Sequence, residues 1–474
     1  MKKYIALCLV LVLTLSLVAC ADGQTPETTG TSAPAENAVF QVGYARGDIT
    51  PKAAVPMAGY GNGASRLSET VLDPLYLTCV AFRQGEDTFL LITLDLLQPF
   101  EAVFAATRLR LVRKTGVPAD RILFCCTHTH SAPQLSATDS NTELYVEDFQ
   151  KAALTAAEQA IADLAPAKLL GTKTQVENMN FIRHYLMNDG SYYGPNFGST
   201  ESGYKSHLRE SDKEMLLVKA DREDKADILL MNWQAHPCFT GGANKREISA
   251  DYIGAVRDAI EQETGMLFAF FQGAGGDHNH VSFIEGETLY NDKDSYGKQL
   301  SKEAIAALPS MIPLEGSGIR SVKVMYEGTV NHEDEHLLEQ ARQVSAYFKS
   351  TGDRTKANQM AKELGMTSVY HANAIVARPG RPEKAEMEIN AVYLGGLALV
   401  TAPFEMFGET GTGIKENSPF AMTFVCTVTN ESYSYIPTLE AYEYGCYESY
   451  SSYFAKGTAE AVAEKYQELL KGLQ

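Results

Sequence analysis

The sequence is short of positive charge. Lys and Arg together number 41 against 59 Asp and Glu, which gives a formal net charge of −18. Because binding to a phosphate backbone needs clustered Lys and Arg, this balance argues against a nucleic-acid partner. Cysteine is also scarce, at 8 in 474 residues, and no two of them form a CxxC pair. A structural zinc knuckle is therefore not expected.

Long apolar runs are absent except at the N-terminus. Lys2 and Lys3 precede an apolar run over residues 4–18, which is too short for a comfortable transmembrane helix. The run ends in Leu-Val-Ala-Cys20, which resembles a bacterial lipobox. The resemblance implies a signal peptide at 1–19, a lipid on the Cys20 sulfur and an extracytoplasmic protein anchored to the cell membrane. The alternative is an ordinary secretory signal with an incidental cysteine.

The rest of the chain is predicted to be one domain after a tether. Residues 20–38 carry Cys20 and a Thr-, Pro-, Gly- and Ala-rich stretch that is typical of a flexible linker. From residue 39 to 474, short apolar runs alternate with helical patterns, which predicts an α/β fold of layered mixed sheets flanked by helices. The predicted strands are 76–82, 88–94, 122–127, 228–233, 266–271, 387–393, 397–401 and 423–429, and the predicted helices are 100–114, 144–164, 252–263, 296–308, 404–416 and 458–473. Residues 332–371 are charged and helical in period, and we interpret them as a helical insertion.

A His-x-His motif follows one of the predicted strands. The run 122–127 leads into His128 and His130 and stops at Pro133. Residues i and i+2 of a strand share a face, so the two imidazoles are predicted to converge at the strand's end, where α/β sites commonly lie. Imidazole suits zinc, and a catalytic zinc takes about three protein ligands and an open position. The alternative is two polar residues at a strand end without a metal.

Two further segments place a candidate ligand after an apolar run. His236 follows the run 228–233, and Glu405 follows the run 397–401 and a turn at Pro403. A single histidine in this position is either a hydrogen-bonded core residue or a ligand. Glu405 is expected at a helix start, where the macrodipole alone favours a carboxylate. Both interpretations stay open for each residue.

A tyrosine-rich stretch and a glycine-rich turn complete the set of candidates. The tyrosines are Tyr433, Tyr435, Tyr442, Tyr444 and Tyr447. In isolation they are typical of surface or interface aromatics. Residues 272–280 form a turn whose glycines let the backbone approach a ligand closely. Asp277, His278 and His280 in that turn either form a second metal site or shape the pocket, and we favour the pocket.

Taken together, these segments resemble the neutral (alkaline, non-lysosomal) ceramidase family. The matching motifs are VGYARGDITP at 42–51, MAGYG at 57–61, DPL at 73–75, THTHSAP at 127–133, Gly-Asp at 276–277, Pro-Phe-Glu at 403–405 and the tyrosine-rich stretch. Their order and approximate spacing match over nearly the whole chain. The resemblance implies hydrolysis of an amide bond, in ceramide or a related N-acyl substrate, by water activated on zinc.

The resemblance also implies a site. The implied zinc ligands are His128, His236, Glu405 and Tyr435. Three other residues are implied around them: His130 as the acid/base, Tyr447 as a group that holds the developing oxyanion, and Arg183 as a pocket arginine. A zinc ion lowers the pKa of bound water to about 7 and polarises a carbonyl, which fits this chemistry.

Two features depart from the family pattern. Ceramidases carry a serine two residues after the Gly-Asp aspartate, and this chain has Asn279 there, so no role that needs that hydroxyl is possible. The chain also ends soon after the tyrosine-rich stretch, so no C-terminal immunoglobulin-like domain is expected. The alternative function is a non-catalytic, ligand-binding surface lipoprotein with a vestigial ceramidase-like site. Retention of all four implied ligands argues against that alternative.

Overall fold

The computed structural model describes residues 38–60, 66–194, 202–242 and 244–474. The predicted signal peptide and the predicted lipidation site Cys20 lie outside these ranges, as does nearly all of the predicted tether. Within the described ranges, no helix combines the length and the apolar character needed to cross a membrane.

Strands and helices alternate along the described residues, as the sequence predicts for an α/β protein. The strands are β1 (Gln41–Asp48), β2 (Thr70–Val71), β3 (Tyr76–Gln84), β4 (Asp87–Leu94), β5 (Ile122–Cys126), β6 (Ala165–Gln175), β7 (Phe181–Ile182), β8 (Tyr185–Met187), β9 (Tyr192–Tyr193), β10 (Tyr204–His207), β11 (Glu214–Arg222), β12 (Ile228–Trp233), β13 (Glu247–Ile248), β14 (Leu267–Gln272), β15 (His278–Asn279), β16 (Ile312–Pro313), β17 (Ile319–Thr329), β18 (Lys384–Leu394), β19 (Leu397–Thr401), β20 (Glu405–Met406), β21 (Met422–Cys426) and β22 (Tyr435–Ile436). The α-helices are α1 (Glu101–Thr115), α2 (Ser140–Ala162), α3 (Tyr252–Thr264), α4 (Lys293–Ala307), α5 (Leu338–Thr351), α6 (Arg354–Glu363), α7 (Val369–Ala377), α8 (Gly408–Glu416), α9 (Leu439–Tyr444), α10 (Tyr447–Ser451) and α11 (Thr458–Gly472).

Two mixed sheets form the centre of the molecule. The larger has the strand order β14-β12-β11-β6-β1-β3-β4-β5, with β16 beside β6, and the smaller has the order β17-β18-β19-β21. In the larger sheet β5 runs parallel to β4 and β12 runs parallel to β14, whereas β1, β3 and β4 are antiparallel neighbours. Apolar side chains from both sheets share one core cluster, so the sheets are stacked face to face.

The side chains of β3 show why this strand lies in an inner layer. Cys79 and Ala81 pack into a core with α1 and α2, whereas Val80 and Phe82 face the smaller sheet. Because both faces are buried, the strand is a continuous apolar run rather than an alternating one. Helices α3 and α4 cover the β11, β12 and β14 part of the larger sheet, and α8 and α11 cover the outer face of the smaller sheet. The fold is therefore built of four layers: helices, sheet, sheet and helices.

Most predicted strands and helices are confirmed with shifted ends, but the predicted helix 404–416 is wrong at its start. Helix α8 begins at Gly408, and Glu405 and Met406 form the short strand β20, which pairs in parallel with β22. Glu405 is therefore not a helix N-terminal carboxylate. Its backbone conformation is set by pairing with Tyr435, about thirty residues further along the chain. Local sequence periodicity cannot reveal such a distant partner.

The predicted helical insertion is confirmed as helical, although its predicted end at residue 371 is too early. It contains α5, α6 and α7, and it continues to Ala377. The three helices pack around a small core of their own, which contains Ala341, Val344, Ala361 and Ile375. The described residues form no separate immunoglobulin-like domain, and α11 follows directly on the layered fold.

Candidate metal centre

Curvature of the larger sheet brings the ends of two distant strands together. β5 and β14 are the outermost strands in the sheet order. Thr93 of β4 nevertheless donates a hydrogen bond to the Phe270 carbonyl of β14 at 2.5 Å, so the two ends of the sheet approach each other. His128 follows β5 and His236 follows β12, the neighbour of β14. The two histidines therefore meet although their strands are far apart in the sheet order.

The two imidazoles of the His-x-His motif do converge, but strand periodicity is not the reason. β5 ends at Cys126, and His128 has a positive φ of 72°. Such a backbone is uncommon for a residue other than glycine and persists where surrounding structure enforces it, often at functional sites. The His128 N–H donates to the Leu96 carbonyl at 2.9 Å, which helps to hold this conformation. The rings of His128 and His130 then lie 5.1 Å apart, centroid to centroid.

In three histidines the same ring nitrogen is held by the backbone. The Nδ1 atoms of His128, His130 and His236 each lie against a backbone carbonyl. The carbonyls are Leu97 at 2.8 Å from His128, Gly59 at 3.1 Å from His130 and Gly275 at 2.9 Å from His236. Because a carbonyl only accepts hydrogen bonds, each Nδ1 carries a proton, and in the neutral form of each ring Nε2 presents its lone pair. Histidine ligands of metals are commonly oriented by a hydrogen bond of this kind from the other ring nitrogen.

The inward-facing atoms form a compact set of donors. The two Nε2 atoms of His128 and His236 are 3.1 Å apart, and Glu405 Oε2 lies 3.1 Å from the first and 3.3 Å from the second. Ligand atoms at about 2.0–2.1 Å around a tetrahedral zinc ion are separated by roughly 3.3 Å. The three separations therefore fit three corners of such a tetrahedron.

The protonation of these groups also favours a cation. Burial lowers the pKa of His236 to about 4, and burial likewise holds the pKa of His130 well below its usual value. With the ring proton on Nδ1, a neutral histidine has no proton to share with Glu405. Lone pairs of two nitrogens and one carboxylate oxygen would then repel one another at about 3 Å. A cation among them removes that repulsion, so the residues fit a metal ion on their own chemistry.

Tyr435 is placed beside Glu405 by strand pairing. β20 and β22 are parallel, and Glu405 and Tyr435 are direct partners in that pair. Ser434, immediately before Tyr435, has a positive φ of 63°. The Arg183 guanidinium lies 5.4 Å from the centre of the Tyr435 ring, in the range of a cation–π interaction. Burial, with Glu405 as the next cause, raises the pKa of Tyr435 well above its usual value.

Arg183 is held by a buried network that the sequence did not reveal. Arg183 Nε and Nη2 each lie 2.6 Å from Glu448 Oε1, and His184 Nε2 lies 3.0 Å from Glu448 Oε2. Burial alone would raise the pKa of Glu448, but Arg183 and His184 hold it well below its usual value. The only signal in the sequence was that His184 directly follows the predicted residue Arg183 and that Glu448 directly follows the predicted residue Tyr447.

Among the residues that the structure describes, two groups of three could hold a metal ion. One is His128, His130 and His236, and the other is His184, Cys446 and Glu448. In the second group His184 and Arg183 already donate to the carboxylate of Glu448, and the arginine supplies a positive charge at 2.6 Å. The carboxylate of Glu448 is therefore already paired with the Arg183 cation and needs no metal ion to balance its charge. The first group, extended by Glu405, is the candidate metal centre.

The remaining predicted residues surround this centre. The ring of Tyr447 lies 5.7 Å from that of Tyr435, and burial raises the pKa of Tyr447 to about 12, so its phenol is protonated at pH 7. His130 is flanked by the ring of Tyr60 at 5.4 Å, and Arg66 donates to the His130 carbonyl at 3.0 Å. Tyr60 and Arg66 were not predicted as site residues, although Tyr60 lies in the MAGYG motif.

The glycine-rich turn at residues 272–280 packs against the backbone of Glu405 and His236. A Cβ atom on Gly276 would lie 2.7 Å from the Glu405 carbonyl, so only glycine permits this approach. His278 Nδ1 lies 3.0 Å from Asp277, and its Nε2 accepts the Asp212 N–H at 2.8 Å. His280 contacts the His236 carbonyl instead, at 2.9 Å. His278 and His280 therefore contact protein partners here.

The chain is similar to known ceramidases in sequence and in fold. The model for the N-terminal part of neutral/alkaline non-lysosomal ceramidases matches residues 40–277, which is half of the chain. A crystal structure of neutral ceramidase from Pseudomonas aeruginosa matches with a TM-score of 0.68 at 17% identity, over 92% of this chain and 75% of that chain. A structure described as ceramidase complexed with C2 matches with the same values. His128, His130, Arg183 and His236 lie inside the matched range, and Glu405 and Tyr435 lie beyond it.

Proposed function

This chain belongs to the neutral/alkaline non-lysosomal ceramidase family, and we propose that it is a zinc-dependent hydrolase of an amide bond in ceramide or a related N-acyl substrate. One observation carries the proposal. Three acceptor atoms, on His128, His236 and Glu405, lie within 3.3 Å of one another, and both ring protons point away from them. Such a set is stable around a cation and repulsive without one.

The zinc ion would be held by His128, His236 and Glu405, with Tyr435 as the fourth ligand. When bound there, zinc supplies Lewis acidity and lowers the pKa of water to about 7. The Arg183 guanidinium lies 5.4 Å from the centre of the Tyr435 ring, which supports a role for Arg183 in keeping Tyr435 in place.

His130 is proposed to move protons beside the metal. Its Nδ1 is fixed on the Gly59 carbonyl, so Nε2 is the atom that accepts and releases a proton. A neutral histidine can take a proton from the attacking water and pass it to the leaving amine. The edge of Tyr60 and the hydrogen bond from Arg66 to its backbone limit the movement of the ring.

Tyr447 is proposed to stabilise negative charge on the substrate. As the amide carbon becomes tetrahedral, its oxygen gains charge and needs a hydrogen-bond donor. The phenol of Tyr447 is protonated at neutral pH because its pKa is raised to about 12. Its ring lies against that of Tyr435, which supports a position next to the metal.

We also propose that the mature protein is held on the outer side of the cell membrane by a lipid on Cys20. Support comes from the Leu-Val-Ala-Cys20 sequence after a short apolar run. Labelling of cells with a radioactive fatty acid should mark the wild-type protein and not Cys20→Ser. Equal labelling of the two would contradict lipidation at this cysteine.

The metal content of residues 21–474 tests the proposed function. Elemental analysis should find about one zinc per chain in the wild type and much less in His128→Ala. His332→Ala is the matched control, because His332 is a partly exposed histidine paired with Glu335 in the insertion. Hydrolysis of N-acyl amides and ceramides should disappear with the zinc in His128→Ala and persist in the control. A folded, zinc-supplemented wild type without metal would instead indicate a ligand-binding lipoprotein with a vestigial site.

A further inference from the structure

The helical insertion contacts the short helix that carries Tyr447. The Tyr370 ring of α7 lies 5.7 Å from the Tyr447 ring, with the two planes at 80°. The next residue, His371, stacks on Tyr450 of the same helix α10 at 4.3 Å and 12°. Arg378 donates to the Tyr450 carbonyl at 3.1 Å. The insertion therefore contacts α10 at two of its rings, and Arg378, directly after the insertion, contacts its backbone.

Helix α10 needs such contacts to have a fixed orientation. It is 5 residues long, and a helix this short is not stable without tertiary packing. Tyr447 lies between two rings, Tyr435 at 5.7 Å and 73° and Tyr370 at 5.7 Å and 80°. Both angles are close to the edge-to-face geometry that aromatic pairs prefer. Tyr435 is a proposed zinc ligand, so Tyr370 is the contact contributed from outside the proposed ligand set.

Tyr370 is itself held in place. The Arg354 guanidinium of α6 lies 5.6 Å from the centre of its ring, in the range of a cation–π interaction. Helices α5, α6 and α7 share a buried core, so α7 is anchored to a packed unit rather than to a loop. His371 Nε2 also lies 3.0 Å from Asp334 at the start of the insertion.

We propose that Tyr370 is a positioning residue, which holds the Tyr447 phenol in place for the reaction by packing against its ring. The proposal rests on the proposed function, in which Tyr447 stabilises the oxyanion. It gives the helical insertion a role in turnover although the insertion supplies none of the proposed metal ligands. Because the contact acts on a group used in the transition state, its loss should lower kcat and leave KM nearly unchanged.

The test compares three variants of the full chain, each loaded with zinc and assayed on an N-acyl substrate that the wild type hydrolyses. Tyr370→Ala should lower kcat by roughly two- to tenfold, the range expected for loss of one aromatic contact, with KM and zinc content unchanged. Tyr370→Phe keeps the ring and should restore most of kcat. Tyr347→Ala is the matched control, because Tyr347 of α5 packs against the insertion's own core. It should reduce thermal stability as much as Tyr370→Ala does and keep kcat.

Three results would overturn the positioning role alone: unchanged kcat in Tyr370→Ala, an equal loss in Tyr347→Ala, or no recovery in Tyr370→Phe. A loss of zinc in Tyr370→Ala would also overturn it, since the effect would then act through the metal ligands. If the zinc-loaded wild type hydrolyses no N-acyl amide, the proposed function is wrong and the positioning role falls with it.

Discussion

Replacement of Glu448 by glutamine should destabilise the protein strongly, although Glu448 is not a proposed metal ligand. Its side chain is 1% exposed, and so is that of its partner Arg183. Two guanidinium nitrogens lie 2.6 Å from one carboxylate oxygen, and His184 Nε2 lies 3.0 Å from the other. Glu448→Gln keeps the size and shape of the side chain but removes its charge. The Arg183 cation is then left buried without its anion.

The expected loss follows from that burial. Removal of one partner from a buried ion pair costs about 3–5 kcal/mol, because the remaining charge is desolvated and uncompensated. The side-chain amide of the variant could still accept one hydrogen bond, which places the expected loss at the lower end, about 3 kcal/mol. Proteins of ordinary stability unfold with about 5–15 kcal/mol, so the variant should still fold.

Urea unfolding at pH 7, followed by far-UV circular dichroism, measures this loss. Glu440→Gln is the matched control: Glu440 pairs with Arg209 at 2.6 Å, but its side chain is 60% exposed. An exposed pair contributes about 0–1 kcal/mol, so the control should unfold close to the wild type. A loss below about 1 kcal/mol in Glu448→Gln, equal to the control, would refute the buried network.

Three further predictions concern the Glu448 network and the candidate metal centre. The lowered pKa of Glu448 contributes stability that is complete above about pH 4.3 and decreases as the pH falls below it. The urea midpoint of the wild type should therefore fall more steeply in acid than that of Glu448→Gln, and parallel curves would contradict this. Gly276→Ala places a Cβ 2.7 Å from the Glu405 carbonyl and should reduce zinc content in elemental analysis. Gly413→Ala, where a Cβ meets no atom within 4 Å, should keep the metal, and equal zinc in both variants would contradict the close approach. His236→Ala should lose zinc and hydrolysis together while its far-UV spectrum stays that of the wild type, and retained activity would show that the proposed centre is wrong.

The layered α/β fold could be predicted because its inner strands leave a strong local signal. β12 and β19 lie at the predicted residues, 228–233 and 397–401, since both faces of each strand are buried and the whole run is apolar. His236 was identified for the same reason, as the first histidine after such a run. These features depend on neighbours in sequence, which periodicity records directly.

The geometry of the site depends on contacts that periodicity does not record. Glu405 lies on a strand because β22 pairs with it, and the predicted helix start ignored that distant partner. His128 faces the centre because its φ is 72°, although strand alternation predicted the same convergence for a different reason. The hydrogen bond between His184 and Glu448 joins residues 264 positions apart, and neither residue belongs to a motif with a known metal spacing.

Asn279 stands where the resemblance implies a serine, and its contacts connect it to a proposed zinc ligand. Its side-chain oxygen accepts the His280 N–H at 2.9 Å, and the Cys238 thiol lies 3.9 Å from it. His280 in turn contacts the carbonyl of His236 at 2.9 Å. Asn279 therefore contacts His280, and the His280 side chain contacts the backbone of His236, a proposed zinc ligand. Asn279 is not itself one of the proposed ligands. At this position, where the resemblance to ceramidases implies a serine, we expect a substitution to act on the support of His236 and not on the proposed zinc ligands themselves.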